Sequence, residues 1–185
     1  MRAKEEKAIE RKKYKLLTDQ NTQNEMASVK RNVDLFLSRF TNKNFLKAHI
    51  AIYWPLKNEI DLRGLRKKYP LALPKCKDNN KLEYYSWDDE SFELDFKGIP
   101  SPNNLNLLSH KEISIIFTPC LSVDRKFTRL GYGGGYFDKL RSKKYWADIP
   151  CIGILTEKCV SKELLFSANW DIPLSGYITE RKILV

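Results

Sequence analysis

Only two histidines, His49 and His110, occur in the chain, and its four cysteines, Cys76, Cys120, Cys151 and Cys159, never fall into a C-x-x-C pair. The ligand spacings of structural zinc are therefore missing. Nothing in the cysteine pattern asks for disulfides, and the thiols are read as reduced. Cys120 and Cys151 sit inside apolar runs, where a free thiol behaves as a small hydrophobe. No apolar stretch reaches the roughly 18 residues of a membrane span. The charged N-terminus lacks the apolar core of a secretory signal, so the cytoplasm is the expected location and no membrane partner is expected. Internal repeats and low-complexity tracts are absent as well, which excludes repeat architectures.

What is present is a globular composition with a basic excess. The 185 residues are 42% hydrophobic and 12% aromatic, enough for one domain spanning 1–185 with a core of its own. Lys and Arg total 33 against 23 Asp and Glu, a net charge of +10 that favours anionic ligands such as nucleotides, polyanionic small molecules or nucleic acid. Residues 1–15 contribute a net +4 of this, and the remainder is dispersed, so there is no long basic tail.

Residues 3–18 are charged and free of Gly and Pro, the pattern of a surface helix. Thr22 and Glu25 have capping-box spacing, and Met26, Val29, Val33, Phe36 and Phe40 then share one face of a second helix. "AHIAIYWPL" (48–56) reads as a buried strand whose carboxyl end carries Tyr53 and Trp54, with a loop and a brief helix after it. "PLALP" (70–74) reads as a strand kept short by its flanking prolines. Residues 77–110 read as mostly loop with one or two edge strands. "EISIIFTP" (112–119) is a β-branched run suited to a central strand covered on both faces, "YFDKLRSKKY" (136–145) a helix, and "PCIGIL" (150–155) another strand. Alternating strands and helices predict a parallel α/β sheet with ligands at the strands' carboxyl ends.

"RLGYGGGYFDKL" (129–140) concentrates four of the eight glycines, Gly131, Gly133, Gly134 and Gly135, in five positions. Such a loop reaches backbone angles closed to other residues, and its N–H groups can converge on an anion. Arg129 could add a bidentate phosphate contact, the following helix its N-terminal partial charge, and Asp138 a ligand for magnesium. The stretch is neither G-x-x-x-x-G-K-[ST] nor G-x-G-x-x-G, and a purely geometric strand-to-helix turn accounts for the same glycines.

"FTPCLSVDRKFTRLGYGGGYFDKL" closely resembles the signature of the 5-formyltetrahydrofolate cyclo-ligase (methenyltetrahydrofolate synthetase) family. "IAIYWPLKNEIDLRGL", "LALPKC" and "NWDIPLSGYITE" resemble further family segments in the same order. The resemblance implies a single-domain, Rossmann-like three-layer α/β/α fold with a mainly parallel sheet. It implies an enzyme that uses ATP and magnesium to convert 5-formyltetrahydrofolate, possessing one or more glutamates, into 5,10-methenyltetrahydrofolate, by phosphorylating the formyl oxygen and closing the ring through N10. The expected partners are these small molecules, not nucleic acid, and the expected state is a monomer.

Carried over position by position, Lys7, Arg11, Arg129, Leu130, Gly131, Tyr132, Gly133, Gly134, Gly135, Tyr136 and Phe137 would contact ATP. Trp54, Glu59 and the stretch from Tyr132 to Tyr136 would line the folate pocket, with Arg129, Asp138 and Glu59 as the catalytic group. Asp138 and Asp171 match the family's metal-linked aspartates. Without the resemblance, Glu59 reads as a loop carboxylate, Asp171 as a turn residue before Pro173, and Trp54 as packing. Phe137 replaces a second tyrosine of the family pattern. Gly134 stands where many relatives have lysine, leaving Arg125, Lys126 or Lys139 to compensate. Lys7 and Arg11 have the family's basic spacing, while alignment on Leu17 and Thr18 selects Lys4 and Lys7 instead. A basic nucleic-acid-binding module, or a folate or nucleotide binder without turnover, are the competing readings.

Overall fold

The computed structural model describes residues 2–40, 48–88, 91–103, 106–168 and 171–185; the side chains of Lys4 and Phe40, and Asn169 and Trp170, lie outside the described part. The chain opens with two helices, α1 (Arg2–Thr18) and α2 (Gln23–Phe40), then β1 (His49–Ala51), β2 (Leu71–Cys76) and β3 (Leu82–Ser86). A small hairpin, β4 (Phe92–Leu94) with β5 (Pro100–Pro102), precedes β6 (Ile113–Pro119). A second hairpin, β7 (Ser122–Val123) with β8 (Arg129–Leu130), leads to α3 (Tyr136–Arg141), α4 (Lys144–Ala147), β9 (Cys151–Ile154), β10 (Gly176–Ile178) and β11 (Ile183–Leu184).

Seven strands pair in the order β11-β10-β9-β6-β1-β2-β3, parallel throughout except for the antiparallel edges β3 and β11. β6 occupies the middle, as its continuous apolar run requires. Ile115 and Phe117 point to the face covered by α2, where Val29, Val33, Phe36 and Leu37 pack. Ile113 and Ile116 point to the opposite face, where Tyr136 and Leu140 of α3 and the half-buried Trp146 of α4 lie. These three layers are the expected α/β/α architecture. No helix among the described residues is long and apolar enough to cross a membrane.

The capping box of α2 forms: Thr22 N–H donates to Glu25 Oε2 at 2.8 Å and Glu25 N–H to Thr22 Oγ1 at 3.2 Å. Four readings differ from expectation. β1 stops at Ala51, so Tyr53 and Trp54 lie just past its end rather than on it, and the described residues of 77–110 hold three strands instead of one or two. β2 runs through Pro74 to Cys76, because β1 ends at Ala51 opposite Ala72 and needs no N–H from position 74. The helix expected over 136–145 breaks into α3 and α4, since Lys143 is extended between them.

The β7–β8 turn is built on Asp124, which is wholly buried. Its Oδ1 accepts the N–H groups of Lys126 and Thr128 at 2.8 and 2.9 Å, and Oδ2 accepts Leu165 N–H at 2.9 Å. Replacing Asp124 by Ala orphans three backbone donors and is expected to cost about 3 kcal/mol or more, read as a lower urea midpoint.

The chain order fixes where a site can form. From β1 it steps through β2 to β3 at one edge, then returns to β6 on the other side of β1 and continues to β9 and β10. Connections leaving β1 and β6 therefore diverge, opening a crevice beyond their carboxyl ends.

Candidate active site

A cavity of about 300 Å³ lies in that crevice. Its walls come from the segment after β1 (Tyr53, Trp54, Leu56, Glu59), the end of β2 (Pro74, Cys76), Pro119 of β6, the stretch from Arg129 to Asp138, Lys7 and Arg11 of α1, and Asp171. Every site residue expected from the sequence therefore borders one space, although they span most of the chain. Arg125, Lys126 and Lys139 are not among the lining residues, so among the described residues its cations are Lys7, Arg11 and Arg129.

Two of the glycines answer to conformation: Gly133 and Gly135 have φ of 101° and 70°, the left-handed region. Gly131 answers to close approach instead. A β-carbon on Gly131 would sit 2.9 to 3.1 Å from the guanidinium of Arg129, whereas one on Gly133 would meet that of Arg11 at an ordinary contact distance of 3.5 Å. Arg11 Nε donates to Gly131 O at 3.0 Å. The bare backbone of Gly131 thus lets the Arg129 guanidinium lie against the loop, with that of Arg11 hydrogen-bonded beside it, a concentration of positive charge next to the loop's N–H groups. Because α3 is only six residues long, these side chains outweigh any helix dipole.

Arg129 is held on three sides rather than standing free at the entrance. Nη1 donates to Pro119 O at 3.2 Å, Nη2 to Asp138 Oδ1 at 2.7 Å, and the guanidinium lies over the Phe137 ring at 5.3 Å. Burial pushes the Asp138 carboxyl up, but the charge and hydrogen bond of Arg129, aided by Lys7 and Arg141, outweigh it and hold Asp138 below the usual carboxylate range. Lys7 Nζ pairs with Asp171 Oδ2 at 2.8 Å, and Ala168 N–H donates to the same oxygen at 2.8 Å. Asp171 is therefore both a turn residue and a cavity carboxylate.

Glu59 is 8% exposed and is no loop carboxylate at the surface. Leu56 N–H donates to its Oε2 at 2.7 Å, and the Tyr53 hydroxyl fixes the loop by donating to Ile60 O at 2.7 Å. Among the described residues, Oε1 is buried with no hydrogen-bond partner. Burial raises the Glu59 carboxyl above its ordinary value, against the lowering influence of Leu56 N–H and the Tyr132 phenol. Half-buried Trp54 meets Phe92 edge-to-face at 5.1 Å and carries the Arg63 guanidinium at 4.4 Å, so it packs and borders the cavity at once.

Sequence reasoning missed Asp95 and Ile99, which complete the wall from the β4–β5 hairpin. Asp95 accepts N–H groups from Cys76, Lys97 and Ile99 at 2.8, 2.8 and 3.0 Å, an arrangement that the turn chemistry of "DFKG" could have signalled. All four cysteines are buried and unpaired. Among the described residues, no three His, Cys, Asp or Glu side chains cluster as a self-sufficient metal site.

The model of the 5-formyltetrahydrofolate cyclo-ligase family matches residues 3–180. The 5-formyltetrahydrofolate cyclo-ligase of Haemophilus influenzae is 38% identical over 76 residues, 40% of this chain and 40% of that protein. That of Escherichia coli K12 is 30% identical over 79 residues, 42% of each. These alignments thus span less than half of the length of either relative. The solved structure of Aquifex aeolicus 5,10-methenyltetrahydrofolate synthetase superposes with a TM-score of 0.77 at 24% identity, covering 96% of this chain and 91% of that one, a likeness of fold.

Proposed function

The chain belongs to the 5-formyltetrahydrofolate cyclo-ligase family, and on that premise we propose that it converts 5-formyltetrahydrofolate and ATP into 5,10-methenyltetrahydrofolate, ADP and phosphate. The observation that carries the reading is that one cavity gathers both halves of the chemistry. Cations against a glycine loop suit a polyphosphate, and a buried carboxylate with an oxygen that accepts no hydrogen bond among the described residues suits the N–H donors of a pterin.

The formyl oxygen is a poor leaving group. It attacks the γ-phosphorus of ATP, ADP departs, N10 adds to the activated carbon and loses its proton, and the C–O bond breaks to release phosphate. Arg129, Arg11 and Lys7 would neutralise the phosphates, while Glu59 and Trp54 hold and cover the pterin, so the chain's contribution is positioning and electrostatics. Asp138 Oδ2 and Asp171 Oδ1 accept no hydrogen bond among the described residues, which fits hard oxygen ligation of magnesium shared with phosphates. Magnesium so held would offset charge on the transferring phosphoryl group. The four buried thiols suit a reducing cytoplasm, with the whole chain acting as one domain and a monomer.

Titrations of purified protein test this reading against a basic nucleic-acid module. Saturable binding of 5-formyltetrahydrofolate and of magnesium ATP supports it; salt-sensitive RNA binding with no response to either ligand contradicts it. Replacing Gly131 by Ala is a sharper probe, since the added methyl must displace the Arg129 guanidinium. The apparent KM for ATP is expected to rise about tenfold or more with folate binding little changed, and the melting temperature to fall with the loss of the Arg129 contacts rather than through backbone strain, since Gly131 has an ordinary φ.

A further inference from the structure

Arg141, at the end of α3, is only 5% exposed, yet among the described residues its guanidinium binds carbonyls and no carboxylate. Nη1 donates to Ile172 O at 2.8 Å and Nη2 to Pro173 O at 2.9 Å. The segment from Asp171 to Pro173 belongs to no helix or strand, and Pro173 has no N–H to offer. Among the described residues, these two bonds are the hydrogen bonds of positions 172 and 173. The next anchors are Leu174 N–H to Phe127 O at 2.9 Å and Ser175 N–H to Cys151 O at 2.8 Å.

A buried guanidinium hydrogen-bonded to no carboxylate is an expensive way to fill a core, even with its charge felt at Asp138, since an apolar side chain avoids desolvating a charge. What a rigid fork of donors does, and an apolar side chain cannot, is fix two consecutive carbonyls at once. Arg141 lies three residues after Asp138 on α3, and the carbonyls it grips follow directly on Asp171. We infer that Arg141 is a positioning residue: its clamp on Ile172 and Pro173 fixes Asp171 relative to Asp138 across the cavity. The inference rests on the proposed role of these carboxylates in holding magnesium ATP.

The test compares Arg141→Met and Arg141→Lys with the wild type, using amide hydrogen exchange of the 171–176 segment, affinity for ATP with manganese as a paramagnetic probe, and affinity for 5-formyltetrahydrofolate without ATP. Arg141→Met is expected to speed exchange in that segment and weaken the manganese ATP complex about ten- to a hundredfold with folate affinity unchanged, and Arg141→Lys to restore part of both. Wild-type manganese ATP affinity in folded Arg141→Met, or equal losses for both ligands, overturns the inference. Should Arg141→Met fail to fold, wild-type manganese ATP affinity in Arg141→Lys together with faster exchange overturns it equally. Asp171→Asn separates the premise: unchanged manganese ATP affinity there removes the metal role of Asp171 and leaves any exchange effect of Arg141 as fold mechanics.

Discussion

Replacing Asp138 by Asn is expected to lower turnover about a hundred- to a thousandfold while 5-formyltetrahydrofolate still binds. Two losses combine. The variant lacks the charged oxygen that magnesium would share with the phosphates, and it leaves the buried Arg129 guanidinium without its counter-charge, although an amide oxygen can keep the hydrogen bond. Because the Asp138 side chain is 42% exposed, water screens part of the second loss and the protein stays folded. Phosphate release at saturating folate, followed against magnesium concentration, measures the effect. The carboxyl of Asp138 is held below its ordinary value, so its contribution to stability is present above the unfolded pKa of 3.8 and lost as pH falls through the lower folded value. Asp138→Asn should therefore flatten that acid limb of the stability profile.

Glu59→Gln carries the second large effect and the opposite selectivity. Among the described residues, Oε1 of Glu59 is buried with no hydrogen-bond partner, and Glu59 borders the cavity beside the Tyr132 phenol, so a pterin N–H that reaches Oε1 adds a partner there. Exchanging the carboxylate for a neutral amide is expected to weaken 5-formyltetrahydrofolate about ten- to a hundredfold, with ATP affinity unchanged, as titration of each ligand alone will read. Burial sets the sign of the pH dependence. The raised carboxyl of Glu59 protonates at a pH above the ordinary glutamate value, so wild-type folate affinity falls on acidification earlier than for an exposed glutamate, and the variant lacks that step. A raised acid also means that the ionised form works against folding above the folded pKa, a cost relieved as pH falls. At neutral pH the variant is therefore expected to melt no lower than the wild type, the mark of a group kept for its ligand. Equal, small effects of Asp138→Asn and Glu59→Gln on both ligands would remove the division of roles.

Much of this was legible where local chemistry and tertiary context agree. The β-branched run of β6 could only be buried on both faces, and Thr22 with Glu25 announced the start of α2. The glycine cluster suggested an anion site, but its local pattern did not tell that Gly133 and Gly135 answer to left-handed φ and Gly131 to the approach of Arg129. The arrival of Arg11 at the same loop depends on α1 meeting the segment after β8 across 120 residues of sequence. Pro74 misled for a related reason: a proline ends a strand only where a neighbour needs its N–H, and β1 is too short to reach it. Arg141 carried no sequence signal, because a basic residue near a helix end ordinarily reads as solvent-exposed capping. Asp95 was hidden in a polar stretch whose value lies in where the hairpin folds.

The measurement that bears most directly on the central claim is near-ultraviolet absorbance of the methenyl product on mixing folded protein, 5-formyltetrahydrofolate and magnesium with and without ATP. The account predicts a rise that requires ATP, matched by one phosphate per product formed and lost in Asp138→Asn. Folded protein that binds both ligands yet yields no ATP-dependent rise would contradict it, leaving a binder without turnover in the same cavity.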